Sequence, residues 1–275
     1  MLNRNSISPL PVRRLKSVLF SCAVAVMALA SCKDDDNKVV PDEVVNAKKA
    51  IIPENGKQYT YKIVDSDGTV ETSVTQVKSV KDSAGMSVSN IQNVVKVADG
   101  QYAVDYKAYS KNGATTYELQ LPSVFAALIK ELRPIAYIED FDLTGFPQYQ
   151  IFDNKGTVDS PVTFKGDPIN MKIKMQIIVE EGDNIDAEIS SKITYKSGKV
   201  VKEEAVTTPA GTFNCSKWQY SYVTVTKFQA AGVPAEESTE TINVSLWTAP
   251  EIGIVKSVEE SSEGETSTTE LQKIQ

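Results

Sequence analysis

From Gly56 onward, apolar and polar residues alternate with a period of two, and turn-forming pairs punctuate the alternation. Tyr59, Tyr61 and Ile63 alternate with Thr60 and Lys62 before Asp67-Gly68. Tyr102, Val104, Tyr106 and Ala108 lead into Asn112-Gly113, and Tyr117, Leu119 and Leu121 lead back out. This spacing puts the apolar set on one face of a β-strand, and Asn-Gly suits a type I′ hairpin, whose two central residues need positive φ. Asp82-Ser83-Ala84-Gly85 marks another turn, and Tyr149–Phe152 resumes the strands. Met171, Ile173, Met175, Ile177 and Val179 alternate most cleanly, before a turn at Gly182-Asp183-Asn184. Ile185, Ala187 and Ile189 then define a strand face, Ser197-Gly198 predicts a turn, and Val200–Thr207 predicts a strand running back. In Asn214–Gln229, Trp218, Tyr220 and Tyr222 fall on one side and Val223 and Val225 on the other; shorter strands follow around Ile242–Trp247, Ile254–Val258 and Thr268–Ile274.

One segment departs from this rhythm. Val124, Phe125, Leu128, Ile129 and Leu132 recur at helical spacing within Ser123–Leu132, and Pro134 stops the run. So short a helix is marginal alone and is expected to pack on the sheet or plug one end of it. No long Gly/Pro/Ser-rich linker interrupts the strands, so residues 50–275 read as a single antiparallel β domain, all-β with one short helix.

The N-terminus has a different character. Arg13, Arg14 and Lys16 precede an apolar stretch from Val18 to Ala30, which is too short for the roughly 20 residues of a membrane-spanning helix. The stretch ends in Leu29-Ala30-Ser31-Cys32, which resembles the lipobox at which bacterial lipoprotein precursors are diacylated and cut. Residues 1–31 then read as a lipoprotein signal peptide, Cys32 as the lipid anchor, and 32–49 as a flexible acidic tether interrupted by Pro41. Lys33-Asp34-Asp35-Asp36 resembles the acidic export signal of Bacteroidota-type lipoproteins displayed on the outer face of the outer membrane; a periplasm-facing anchor is the alternative.

Cleavage changes the charge that matters. Residues 1–31 carry Arg4, Arg13, Arg14 and Lys16 and no acidic side chain, so their removal takes the formal charge from −7 to −11. An acidic surface repels phosphate backbones, which excludes nucleic acid as a partner class, and it leaves membrane attachment to the acyl chains. Cys22 departs with the leader and Cys32 becomes a thioether. Cys215 is left without a disulfide partner, and the sequence has no histidine to activate it as a nucleophile; it reads as a small buried hydrophobe.

Two motifs stand out in the C-terminal half: Thr208-Pro209-Ala210-Gly211-Thr212-Phe213-Asn214-Cys215, and Trp247-Thr248-Ala249-Pro250-Glu251-Ile252-Gly253-Ile254-Val255-Lys256. Together they resemble a family of bacterial envelope β domains of unknown function. Such domains are similar to the half-barrels of the lipoprotein-localisation (Lol) carrier superfamily, in which a strongly curved antiparallel sheet wraps around a short helix or two. The resemblance implies a half-barrel or barrel-like sheet over about residues 57–260, and a fold alone does not supply an activity. The same residues have a structural account. Pro209-Ala210-Gly211 reverses the chain, and Phe213 and Cys215 enter the core from one face. Trp218, at odd spacing from Cys215, then requires either a bulge near Ser216-Lys217 or a strand covered on both sides.

Candidate chemistry is sparse. Asp65-Ser66-Asp67-Gly68 begins like a calcium loop, but Gln76 stands where an EF-hand places its bidentate Glu, so a hairpin turn is expected. Glu180, Glu181, Asp183 and Asp186 read as solvated loop charge. Asp140 and Asp142 share a strand face without other signs of a sugar cleft. No catalytic residue, cofactor or metal site is expected. Asp82-Ser83-Ala84 resembles the O-glycosylation acceptor of Bacteroidota envelope proteins, making Ser83 a candidate modification site. Two functions follow. One is a non-catalytic envelope lipoprotein holding an apolar ligand, such as a lipid or acyl chain, on the concave face of its sheet. The alternative is a structural or protein-interaction module with a filled core, whose partners the sequence does not identify.

Overall fold

The computed structural model describes residues 49–83, 85–97, 100–119, 136–178 and 184–275. Cys32, the tether up to residue 48 and the segment Ser123–Leu132 lie outside them. The described residues form fourteen strands: β1 (Gln58–Asp65), β2 (Val70–Ser83), β3 (Met86–Val97), β4 (Gly100–Lys111), β5 (Ala114–Leu119), β6 (Ala136–Thr144), β7 (Gln148–Asp153), β8 (Pro161–Lys165), β9 (Ile169–Ile177), β10 (Ile185–Thr208), β11 (Gly211–Ala230), β12 (Val233–Ala249), β13 (Gly253–Ser261) and β14 (Thr266–Ile274). The strongly curved antiparallel sheet expected from the sequence closes completely. Twelve strands form a ring in the order β11-β12-β13-β14-β1-β2-β3-β4-β5-β7-β8-β10, with β10 pairing back to β11. β9 and β6 branch from the N-terminal half of β10 as a flap whose apolar face packs on Val95 of the ring.

The turns follow their sequence signals. Asn112 and Gly113 both have positive φ, 51° and 74°, as the type I′ turn requires. The Asp67 carboxylate accepts a hydrogen bond from the Thr69 amide at 2.8 Å, closing the β1–β2 hairpin. Ser197-Gly198, by contrast, is not a turn. β10 runs unbroken through it for 24 residues, with a register shift against β11 between Lys196 and Lys199. The N-terminal half of β10 pairs with β9, whereas Gly198 and Lys199 pair with Val162 and Pro161 of β8. The Gly198 signal therefore marks a change of partner. A Cβ there would lie 1.8 Å from the Gln219 carbonyl oxygen, so only glycine lets the two backbones meet.

The odd spacing of Cys215 and Trp218 is resolved by covering the strand on both sides. Trp218 joins the main interior cluster, while Cys215 packs with Val206, Phe213, Trp247, Ala249 and Val255. The extra residue of the bulge sits on the partner strand, between Val200 and Lys202, and not at Ser216-Lys217.

Eight strands enclose a space that side chains just fill, and more strands enclose more. Here large aromatics span the gap: Phe152 and Trp218 meet edge-on at 5.0 Å, and Phe164 stacks on Tyr195 at 4.9 Å. Residues just ahead of β1 add to the filling. Ile51 and Ile52 are buried in the same cluster; the Ile51 amide donates to Thr115 Oγ1 at 3.0 Å, and the Tyr117 hydroxyl donates to the Ile51 carbonyl. The outward positions carry Gln76 and Lys78 on β2, Asp105 and Lys107 on β4, and Glu270 and Gln272 on β14, a surface suited to water rather than to the apolar band of a membrane barrel. Gly198→Ala should destabilise the fold by about 1–3 kcal/mol or more, because the obstacle is backbone and cannot rotate away. Urea denaturation of the two proteins measures the difference.

Candidate functional site: the polar wall inside the barrel

The interior is two-sided. Toward the end that bears the β4–β5 and β12–β13 turns, the inward residues are apolar: Tyr59, Tyr61 and Ile63 on β1, Val77 on β2, Ile254 on β13 and Leu271 on β14 are all buried. Toward the other end, the same strands turn polar residues inward. Ser257, Glu259 and Ser261 of β13 and Ser267 and Thr269 of β14 are buried, and Asp65 ends β1 half-buried at the rim, while the buried Ser73 and Thr75 of β2 lie opposite Tyr61 and Tyr59. Register brings these together. Glu259 lies directly opposite Ser267, which lies directly opposite Asp65, so the three share one face across β13, β14 and β1.

Glu259 is 2% exposed and is held by Tyr222, whose hydroxyl donates to Oε2 at 2.9 Å. Burial raises its pKa to about 7; the Tyr222 bond opposes the rise and the charge on Asp65 adds to it. Asp65 is raised as well, chiefly by desolvation, with Ser267 lowering and Asp67 raising it. Desolvation likewise pushes Tyr220 and Tyr222, across from this wall, far above the ordinary phenol range, and Glu259 reinforces both. Ser257 Oγ in the wall and Ser73 Oγ on β2 lack a hydrogen-bond partner, and Ser267 turns its hydroxyl to the Asp65 carboxylate. Buried polar atoms are normally satisfied, so such a cluster marks a special place.

A concavity of about 480 Å³ opens at the opposite end, between Ile51, Lys155, Glu204, Asn214, Cys215 and Pro250. Burial, with Glu204 adding, pushes the Cys215 thiol up to about 12, so it stays protonated at neutral pH. Hydrogen bonds from Lys202 and Trp247 hold Glu204 below its ordinary range.

The residues singled out from sequence are scattered. Asp140 and Asp142 are exposed on β6, facing Lys174 and Lys172 of β9, a solvated charge ladder. Asp186 accepts from Gln176 at 3.1 Å, whereas Glu180, Glu181 and Asp183 lie outside the described residues, as does Cys32. Ser83 ends β2 at the β2–β3 hairpin, opposite Met86. Glu259 was missed. The strand read around Ile254–Val258 stopped one residue short of it. The available signal was Ser257-x-Glu259-x-Ser261 facing Ser267-x-Thr269, two polar faces in register.

The unfolded chain ionises Glu259 near its ordinary value of 4.5, while the folded chain keeps the proton until about pH 7. Folding stability therefore declines between those pH values, by about 3 kcal/mol from this group, and levels off above. Glu259→Gln should flatten that part of the profile and be the more stable protein at pH 8. Urea melts at pH 5 and pH 8 in EDTA-containing buffer read this out.

No functionally curated protein matches the chain. A candidate lipoprotein of Parabacteroides distasonis aligns in structure at 19% identity, covering 82% of this chain and 99% of that one with a TM-score of 0.49. A candidate exported protein with a YmcC-like fold from Bacteroides fragilis aligns at 19% identity, covering 81% and 97% with a TM-score of 0.46. A family model described as DUF3108-like matches residues 54–271. That match takes in every strand of the barrel except the last residues of β14, and the chain belongs to the DUF3108-like family.

Proposed function

We propose that this chain is a lipid-anchored, non-catalytic protein of the bacterial envelope whose barrel serves as an interaction module. The observation that carries the reading is Leu29-Ala30-Ser31-Cys32 behind a basic and apolar leader. The water-suited exterior of the barrel supports it, since such a barrel cannot hold itself in lipid and needs a separate anchor. The protonated Cys215 thiol and the exposed placement of Asp140 and Asp142 opposite lysines of β9 support a non-catalytic role. The Asp34–Asp36 run favours display on the outer face of the outer membrane. Cys32→Ala should block lipidation and leave the precursor uncut, and wild type should incorporate radiolabelled fatty acid. External protease on intact cells should remove the wild type and spare the Asp34, Asp35, Asp36→Ala variant. An unlabelled wild type defeats the anchor, and a fully protected one the outward orientation.

Of the two roles for the barrel, packing favours the module with a filled apolar core. A carrier of lipid or acyl chains would need the faces of Met171–Ile177 and Trp218–Tyr222 to line one open space. Met171, Ile173 and Met175 instead pack under the flap with Val95, Ala187 and Ile189, and Trp218 and Tyr222 fill the ring interior. The purified protein should carry no stoichiometric lipid in its interior by native mass spectrometry, beyond the anchor itself. Added fatty acid should leave its melting temperature unchanged; a bound lipid with a thermal shift would reverse the choice.

A further inference from the structure

We propose that the polar wall is a binding site for an oxygen-seeking metal cation, held between the carboxylates of Glu259 and Asp65 and the hydroxyls of Ser267 and Ser257. The site is independent of the lipid anchor and of what the outer surface recognises.

Four observations carry it. First, the carboxylates stand two strands apart with Ser267 between them, about 10 Å from Cα to Cα by ordinary strand spacing. On the concave face of a closed barrel, side chains so placed converge. Second, Ser257 Oγ has no hydrogen-bond partner although the residue is only 4% exposed, and Ser267, 1% exposed, turns its hydroxyl to the Asp65 carboxylate. Hydroxyls buried in this way want a ligand, and those beside a carboxylate can offer it their lone pairs. Third, among the described residues the buried set includes Glu259 but no lysine or arginine, so nothing of the chain's own balances the acidic pair. Fourth, the donors are all oxygens, the set that hard cations such as Ca²⁺ prefer and that suits soft thiolate- or imidazole-seeking metals poorly.

The surroundings suit such a ligand. Asp65 lies at the rim, and the turns there, 65–69 and 261–266, carry Asp67, Glu263 and Glu265 with no basic residue, a field that draws cations inward. A bound cation favours the ionised form of both carboxylates. Tyr222, bonded to Glu259, places an aromatic chromophore beside the metal position.

The full chain in detergent, stripped with EDTA and held at physiological ionic strength and pH 7.5, tests this. Ca²⁺ at about 100 times its dissociation constant should raise the melting temperature by on the order of 5 °C. Tb³⁺, which occupies Ca²⁺-type oxygen sites, should give tyrosine-sensitised luminescence that excess Ca²⁺ quenches. Glu259→Gln should abolish both responses, and Asp65→Asn, at the half-exposed rim, should weaken Tb³⁺ binding if the buried variant folds poorly. Asp140→Asn, an exposed carboxylate elsewhere, should retain both. No response in the wild type, or responses that survive both Glu259→Gln and Asp65→Asn, would overturn the assignment.

Discussion

The structure depends on one backbone contact. At Gly198 the longest strand but for none, β10, leaves its flap partner β9 and takes up β8, while remaining paired with β11 on its other side. That transfer closes the ring. It needs the β10 backbone to come closer to the Gln219 carbonyl than any side chain permits, and it needs the register shifts that flank Gly198 to bend the strand. The β8 ladder on β10 is short, so closure rests as much on backbone bonds beyond it: the Asp159 amide donates to the Val200 carbonyl, and the Val200 amide to the Ser160 carbonyl, both at 2.9 Å. Everything inside the barrel presupposes this seam, because an open sheet would leave Trp218, Phe152 and Glu259 facing water.

Much of the fold was legible in the sequence. The alternation of Tyr59, Tyr61 and Ile63, or of Trp218, Tyr220 and Tyr222, named the inward faces correctly, and Asp67-Gly68 and Asn112-Gly113 marked real hairpins. Such signals are local, fixed by side-chain period and by φ. Ser197-Gly198 misled because a glycine in a strand and a glycine in a turn look alike in one dimension; only the approach of Gln219 from the neighbouring strand tells them apart. The site was illegible for a different reason. Pattern reading assumes that apolar residues face inward, and on β13, β14 and β2 the inward set is Ser257, Glu259, Ser267, Thr269, Ser73 and Thr75. Asp65 was noticed, but beside Asp67 in the turn, while its structural partner Glu259 lies 194 residues away in the chain.

The division of the interior has a physical logic. The apolar end can be dry because aromatic rings and the buried Ile51–Ile52 segment fill it, and two polar groups there have near partners: the Tyr61 hydroxyl donates to the Ile254 carbonyl at 3.1 Å, and Trp218 Nε1 to Thr248 at 2.8 Å. Hydrophobic burial at this end supplies the driving force that a polar wall cannot. The other end is lined by groups whose burial costs stability unless something satisfies them, and proteins commonly keep such costs where they are useful.

The pairing of β1 with β14 bears on how the molecule is made. Gln58 and Gln275 exchange two backbone hydrogen bonds, at 2.9 and 3.0 Å, so the first and last strands of the ring lie side by side. During synthesis the barrel cannot close until β14 has emerged, and until then β1 and β13 each present an unpaired edge. Contacts between positions so distant in the chain form slowly, because the loop must be closed before they repay its entropy. A chain built in this way stays open for as long as its C-terminus is withheld. Threading it lengthwise through a narrow passage would therefore require no unfolding of a finished barrel.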